Sequence, residues 1–220
     1  MVPCRRDDAK PMPHGRVAPP PAHGRCGADR RRSGVRAAAI ALAWAFYWLH
    51  RQPDAYHRLH TELRALGRMP DPDDLVRLPY LGAVCDEALR LYPVVGAITR
   101  RLRQPLTLRA YTLPAGIAVA VALPVVHSDP HLYPDPHGFR PERFLERTYT
   151  PFEYVPFGGG ARRCVGAAFA VYEMKIVLGS LLARHRFGLG EGAPVTPVPR
   201  SFTLGPKGGV QMSYEGGVDG

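Results

Sequence analysis

The run Phe157-Gly158-Gly159-Gly160-Ala161-Arg162-Arg163-Cys164-Val165-Gly166 carries the clearest chemistry in the chain. Consecutive glycines make a turn without side chains, so a flat ligand can approach the backbone closely. A cysteine follows at the mouth of a helical run, where the helix dipole and the neighbouring arginines both favour its thiolate. A thiolate suits a soft transition metal or a haem iron. Three rival readings lack their residues. A dinucleotide fingerprint beginning at Gly158 needs a glycine where Arg163 stands. A phosphate-binding loop needs Gly-Lys followed by Ser or Thr, and neither is present. A redox pair needs a second cysteine nearby, and Cys85 is far away in sequence.

The elements that must hold this loop follow from hydrophobic periodicity and from proline and glycine. Ala37 to Leu49 is apolar on every face and ends in His50-Arg51, which predicts the last turns of a buried helix. Trp44, Phe46, Tyr47 and Trp48 are expected in its core. Asp54 is expected to cap a second helix, with Leu59, Leu63 and Leu66 inward, His57 and His60 on a solvated face, and Gly67 stopping it. After a loop at Pro70–Asp74, a third helix is predicted from about Pro79 to Leu91, halted by Pro93. Short β pieces are expected around Ala97–Leu102, Leu106–Leu108 and Gly116–Leu123. Residues 124–163 read as a long loop, with His131 and His137 at the surface, and a loop of that length is usually functional. Gly166 to Arg186 reads as the last strong helix, and 187–214 as loops and small strands. The expected class is mainly α with small β-sheets.

Charge and composition narrow the function classes. The chain has 220 residues and a net charge of +10, which at first suggests nucleic acid. Residues 1–36 alone account for +6, so the basicity belongs mainly to an arm. That arm lacks Leu, Ile, Phe, Tyr and Trp but holds six prolines, and it reads as disordered because it cannot bury enough apolar surface to order itself. The longest apolar run, Ala37 to Leu49, has thirteen residues, too few for the ~20 of a membrane span. Cys4, Cys26, Cys85 and Cys164 are too scattered for a disulfide framework, so a cytoplasmic location is expected.

Two further motifs bear on the loop: Glu87-Ala88-Leu89-Arg90 and Pro141-Glu142-Arg143-Phe144. Alone, each is weak, since Glu and Arg three apart usually make a surface pair worth about 0.2–0.5 kcal/mol. In order along the chain, the three motifs resemble the Glu-x-x-Arg helix, the Pro-Glu-Arg-Phe loop and the haem-binding loop of the cytochrome P450 family. The resemblance runs from about Ala37 to the C-terminus and covers the C-terminal half of the family's usual chain. It implies a partial P450 fold, with 37–220 as its C-terminal portion behind the arm 1–36.

The resemblance implies roles for particular residues. Cys164 would be the thiolate ligand of the iron of haem b. Amides after it would hydrogen-bond the sulfur, and Phe157 would shield that side of the ring. Gly158, Gly160 and Gly166 would shape the loop around the cofactor. Arg162 and Arg100 would pair with haem propionates, with His127 as a further propionate candidate. Glu87, Arg90 and Arg143 would form a buried charged triad supporting the loop. The helix behind Cys164, with Phe169, Val171, Tyr172, Met174, Ile176 and Leu178, would pack against the haem's proximal side and the interior. The implied activity is a monooxygenase acting on a small lipophilic substrate, with a ferredoxin or flavoprotein redox partner, no nucleic acid and no membrane span. One departure supports an alternative. Aligning on Ala41-Leu42-Ala43-Trp44 places Arg36 and Ala37 where the family has an acid and an alcohol for proton delivery. Neither can relay a proton in that way, so the alternative is a catalytically inactive, truncated remnant that at most binds haem.

Overall fold

A computed structural model describes residues 23–192 and 194–218, with side chains from 34 onwards. Seven α-helices and eight β-strands are present among them. Helix α1 (His23–Arg51) begins inside the segment expected to be an arm. The reason lies in the prolines: the last of the arm's six is Pro21, and none recurs before Pro53. Residues 1–22 of that expected arm lie outside the described residues.

Helix α2 (Pro53–Arg64) starts with Pro53 in its first turn after Gln52, and Asp54 lies inside that turn instead of capping it. Leu59 and Leu63 are buried while Leu66 is half-buried. His57 is exposed as expected, but His60 is buried against the Tyr56 ring, with centroids 4.3 Å apart. The Pro- and Asp-rich segment is also more ordered than a loop. Asp71 Oδ1 accepts from the Asp74 amide at 3.0 Å, and Asp74 Oδ2 from the Asp71 amide at 3.1 Å. This reciprocal capping starts the short helix α3 (Pro72–Arg77).

Helix α4 (Pro79–Leu91) has no side-chain cap of its own at Leu78. Glu62 supplies one from α2, accepting from the amides of Tyr80 at 2.8 Å and Leu81 at 2.9 Å. Helices α1, α4 and α7 (Ala167–Arg184) pack on one another, and α3 lies on α7. Their shared core holds Trp44, Leu59, Leu81, Val84, Leu178 and Leu182. Trp44 stacks on Tyr92 with ring centroids 3.9 Å apart, and Phe46 and Trp48 are only half-buried beside them. On α7 the buried stripe is Met174, Leu178 and Leu182, at a spacing of four. Val171 and Ile176 are half-buried. Phe169 and Tyr172, expected with the rest of the helix to pack on the proximal side of a haem or on the interior, are 69% and 44% exposed.

All four sheets are antiparallel pairs. Strand β1 (Ala97–Arg101) pairs with β4 (Ala118–Ala122), enclosing the hairpin β2 (Leu106–Leu108) and β3 (Tyr111–Leu113). Strand β5 (His185–Leu189) ends α7 two residues before the expected Arg186 and pairs with β8 (Met212–Gly217). The hairpin β6 (Pro197–Arg200) and β7 (Thr203–Pro206) lies between them in sequence. The long segment after β4 contains two short helices, α5 (Leu123–His127) and α6 (Arg143–Glu146), in addition to turns.

Candidate functional site

The glycine-rich loop is closed by backbone hydrogen bonds. The Gly158 amide donates to Val155 O at 2.9 Å, the Arg163 amide to Gly160 O at 3.0 Å, and the Cys164 amide to Phe157 O at 2.9 Å. Between them a single 3-10 turn spans Gly160–Arg162. The path requires φ of +75° at Gly158 and +63° at Gly160, a region that side chains disfavour. A Cβ at Gly158 would also stand 3.0 Å from Ile98 Cδ1, so the loop lies directly against β1. Ile98 and Arg100 are two apart on that strand and share a face, which directs Arg100 to the loop's side.

Cys164 is exposed and free of any disulfide, and Gly166 forms the N-cap of α7 two residues later. The Ala167 amide bonds to Cys164 O at 3.3 Å. Phe157 is half-buried against the helical core. Arg162 and Arg163 are exposed, and neither they nor Arg100 pairs with a carboxylate among the described residues. Arg100 Nη1 donates only to its neighbour's carbonyl, Thr99 O, at 2.9 Å. The loop thus carries an accessible thiol, guanidinium groups without carboxylate partners, glycines without side chains and the apolar Val165 (88% exposed), with Arg100 on the adjoining strand. These groups fit a flat apolar ring bearing a soft metal and carboxylates: sulfur for the metal, arginines for the carboxylates, and glycines with Val165 for the ring. Among the described residues no cluster of three or more His, Cys, Asp or Glu is placed to hold a metal ion by itself.

Below the loop, Glu87, Arg90 and Arg143 are brought together at 0%, 1% and 2% exposure. Arg90 Nε donates to Glu87 Oε2 at 2.7 Å and Nη2 to Oε1 at 2.8 Å. Arg143 Nε reaches Glu87 Oε1 at 3.2 Å, and the Arg140 amide reaches the same oxygen at 2.9 Å. The other three Arg90 hydrogens go to the carbonyls of His127, Pro136 and Gly138, and Arg143 also donates to those of Pro134 and Asp135. Both guanidinium groups also lie over the Tyr133 ring. All five Arg90 donors are satisfied, and the single Glu87 carboxylate serves both guanidinium groups, which offsets the cost of burying them. The triad is a structural clamp.

His127 does not stand where a propionate partner would. It is 1% exposed, its Nδ1 lies 3.0 Å from Arg90 O, and its Nε2 accepts from the Val155 amide at 3.1 Å. Only the tautomer protonated at Nδ1 satisfies both bonds, so no ring nitrogen remains for a ligand. Burial lowers its pKa from 6.5 to about 4. Its role is to tie the end of α4 to the residue two positions before Phe157.

Two other ties escape sequence reading. Tyr154 Oη donates to Asp86 O at 3.1 Å and to Asp86 Oδ1 at 3.0 Å, and burial raises the Asp86 carboxyl to about 6. Tyr133 Oη donates to Glu153 O at 2.9 Å. The only sequence signal was the acidic pair Asp86-Glu87, one residue of which fastens the loop and the other the segment before it. His131 and His137 are exposed and take no part.

Comparison with known proteins agrees with this arrangement. A family model described as Cytochrome P450 matches residues 33–211. Cyclooctatin synthase of Streptomyces melanosporofaciens is 37% identical over 180 residues, covering 79% of this chain and 39% of that protein. Cytochrome P450 3A29 of Sus scrofa is 35% identical over 161 residues, or 70% of this chain and 32% of its own. A crystal structure of a cytochrome P450 (CYP102L1) superposes with a TM-score of 0.76 at 32% identity, covering 84% of this chain and 44% of that one. The chain therefore spans less than half the length of these relatives.

Proposed function

Since the chain belongs to the cytochrome P450 family, we propose that its surface around Cys164 is the proximal half of a haem-thiolate site. The observation that carries this reading is the exposed Cys164 on a loop closed to Phe157, with Arg100 and Arg162 free of carboxylates beside it. Cys164 Sγ would ligate the iron of haem b, and Arg162 and Arg100 would hold the propionates. The amides of Val165 and Gly166 would donate to the sulfur and tune it. Phe157 would cover the sulfur side, and Gly158, Gly160 and Gly166 would keep the surface flat. Bound there, the haem would supply thiolate-pushed activation of dioxygen. The inferred reaction inserts one atom of O2 into a C–H or C=C bond of a lipophilic small molecule, the other atom leaving as water. A ferredoxin or flavoprotein would deliver the two electrons. The inferred compartment is the cytoplasm, and no helix among the described residues is long and apolar enough to cross a membrane.

Arg36 and Ala37 favour a second reading. Arg36 is exposed and Ala37 half-buried on α1, so an acid and an alcohol are both missing from the positions aligned with proton delivery. A chain with this pair would bind haem without turning over. The test is the carbon monoxide difference spectrum of the dithionite-reduced chain supplied with haem, followed by turnover with a surrogate reductase. A strongly red-shifted Soret band with product supports the monooxygenase, and the same band without product supports the second reading. No bound haem, or the spectrum of a neutral ligand, overturns the site itself.

A further inference from the structure

Asp86 stands beside Glu87 on α4, yet the two carboxyls have opposite surroundings. Glu87 takes Arg90 and Arg143, whereas Asp86 is in no ion pair among the described residues. The cation facing it, Lys175 of α7, gives its Nζ to Val76 O at 2.9 Å. Among the described residues the Asp86 carboxyl has one hydrogen-bond partner, Tyr154, three residues before Phe157. Tyr154 Oη lies 3.1 Å from Asp86 O and 3.0 Å from Asp86 Oδ1, but a phenol has a single hydrogen for the two acceptors. Neither distance is the ~2.5–2.7 Å of a hydroxyl on an ionised carboxylate. A proton on Oδ1 completes both contacts: Asp86 donates to Tyr154 Oη, and Tyr154 donates to Asp86 O.

We propose that Asp86 and Tyr154 form a clasp at the foot of the Cys164 loop, closed while Oδ1 carries a proton and slack once it ionises. Both are positioning residues. Tyr154 precedes Val155, whose carbonyl accepts from the Gly158 amide and whose own amide is held by His127 Nε2. Ionisation therefore loosens the loop without releasing it. Burial raises the Asp86 carboxyl from 3.8 to about 6, which sets where the clasp opens. The other titratable groups around the pair are Cys85 on α4 and Tyr133 and His127 after β4. Burial raises the first two and lowers His127 to about 4, so none of these three changes charge between about pH 5 and 8. The effect on iron ligation rests on the haem-thiolate reading, and the clasp itself does not.

The experiment is carbon-13 NMR of the full chain labelled at its aspartate carboxyls, with Asp86→Asn identifying the resonance. The Asp86 midpoint is expected near 6 in the parent. In Tyr154→Phe it should fall by about one pH unit, because a bond made by the neutral acid favours that form. A midpoint that rises in Tyr154→Phe would show Tyr154 donating to an ionised carboxylate and would overturn the clasp. Hydrogen exchange then reads the loop. The Asp86→Asn amide can donate to Tyr154 Oη at every pH, so the amides of 155–164 should exchange as in the parent at about pH 5 and several-fold more slowly than in the parent at about pH 8. Equal exchange at both would overturn the hold on the loop. With haem supplied, the red-shifted carbon monoxide band should be the larger share in Asp86→Asn at about pH 8 and equal to the parent's at about pH 5. Absence of that band from both chains at both values would overturn the haem-thiolate reading alone, with the NMR and exchange results standing.

Discussion

The Cys164 amide donates to the Phe157 carbonyl at 2.9 Å, closing the glycine-rich loop through backbone alone. The thiol contributes nothing to that closure and is left exposed. Architecture and chemistry are therefore separable at this residue. Cys164→Ser should keep the thermal midpoint of the parent while losing the red-shifted carbon monoxide band of the haem-supplied, reduced chain. A variant that retains the band would remove Cys164 as the ligand.

Gly158 and Gly160 both have positive φ, but their surroundings differ. A Cβ at Gly158 meets Ile98 at 3.0 Å, whereas one at Gly160 meets nothing within 4 Å. Gly160→Ala should cost only the backbone term, about 1–2 kcal/mol. Gly158→Ala should cost more, because the loop must also move away from β1. Urea unfolding measures both, and Ile98→Ala should recover part of the Gly158→Ala loss but none of the Gly160→Ala loss. Equal costs with no rescue would show that the loop does not bear on Ile98.

Where local chemistry decided an element, the sequence was readable. Pro79 and Pro93 bracket α4, and the expected strand Leu106–Leu108 is β2 as found. The loop from Phe157 to Gly166 carried its own glycine and cysteine pattern. Long-range partners were not readable. Asp54 looked like the cap of α2, but Pro53 occupies the first position and no side chain caps that helix, while Glu62 of α2 reaches over to cap α4. His127 looked free to meet a ligand because nothing near it in sequence reveals that Arg90 O and the Val155 amide occupy its ring. The helix of Phe169 is apolar nearly all round, and apolarity does not say which of its side chains meet the interior: Met174, Leu178 and Leu182 do, and Phe169 does not.

Glu87 is the sole carboxylate between Arg90 and Arg143, so its removal strands two buried cations and the Arg140 amide at once. Glu87→Ala should destabilise the chain by about 3–5 kcal/mol, the cost of breaking a buried ion pair from one side. Arg90→Lys keeps the charge but cannot reproduce the bidentate pair and the three carbonyl contacts. It should therefore fall near the alanine variant, not near the parent. Urea midpoints decide this, and a parent-like Arg90→Lys would mean that charge alone holds the clamp.

Acidification should unfold the chain through its buried histidines. Burial lowers both His60 and His127 from 6.5 to about 4, and it lowers His50 as well. A histidine kept neutral in the fold takes up its proton more readily when unfolded. Its contribution is present above pH 6.5 and is lost as pH falls towards 4. Asp86 acts in the opposite sense: raised from 3.8 to about 6, its contribution is full below 3.8 and is lost as pH rises through 6. One carboxyl set against several histidines leaves a net loss of stability between pH 6.5 and 4. His60 is the cleaner site for a test, because its Nε2 has no partner, whereas His127 would lose two bonds on replacement. His60→Phe should therefore flatten the fall of the urea midpoint with pH while leaving the midpoint at neutral pH nearly unchanged. A slope equal to that of the parent would mean that His60 is not protonated more readily on unfolding.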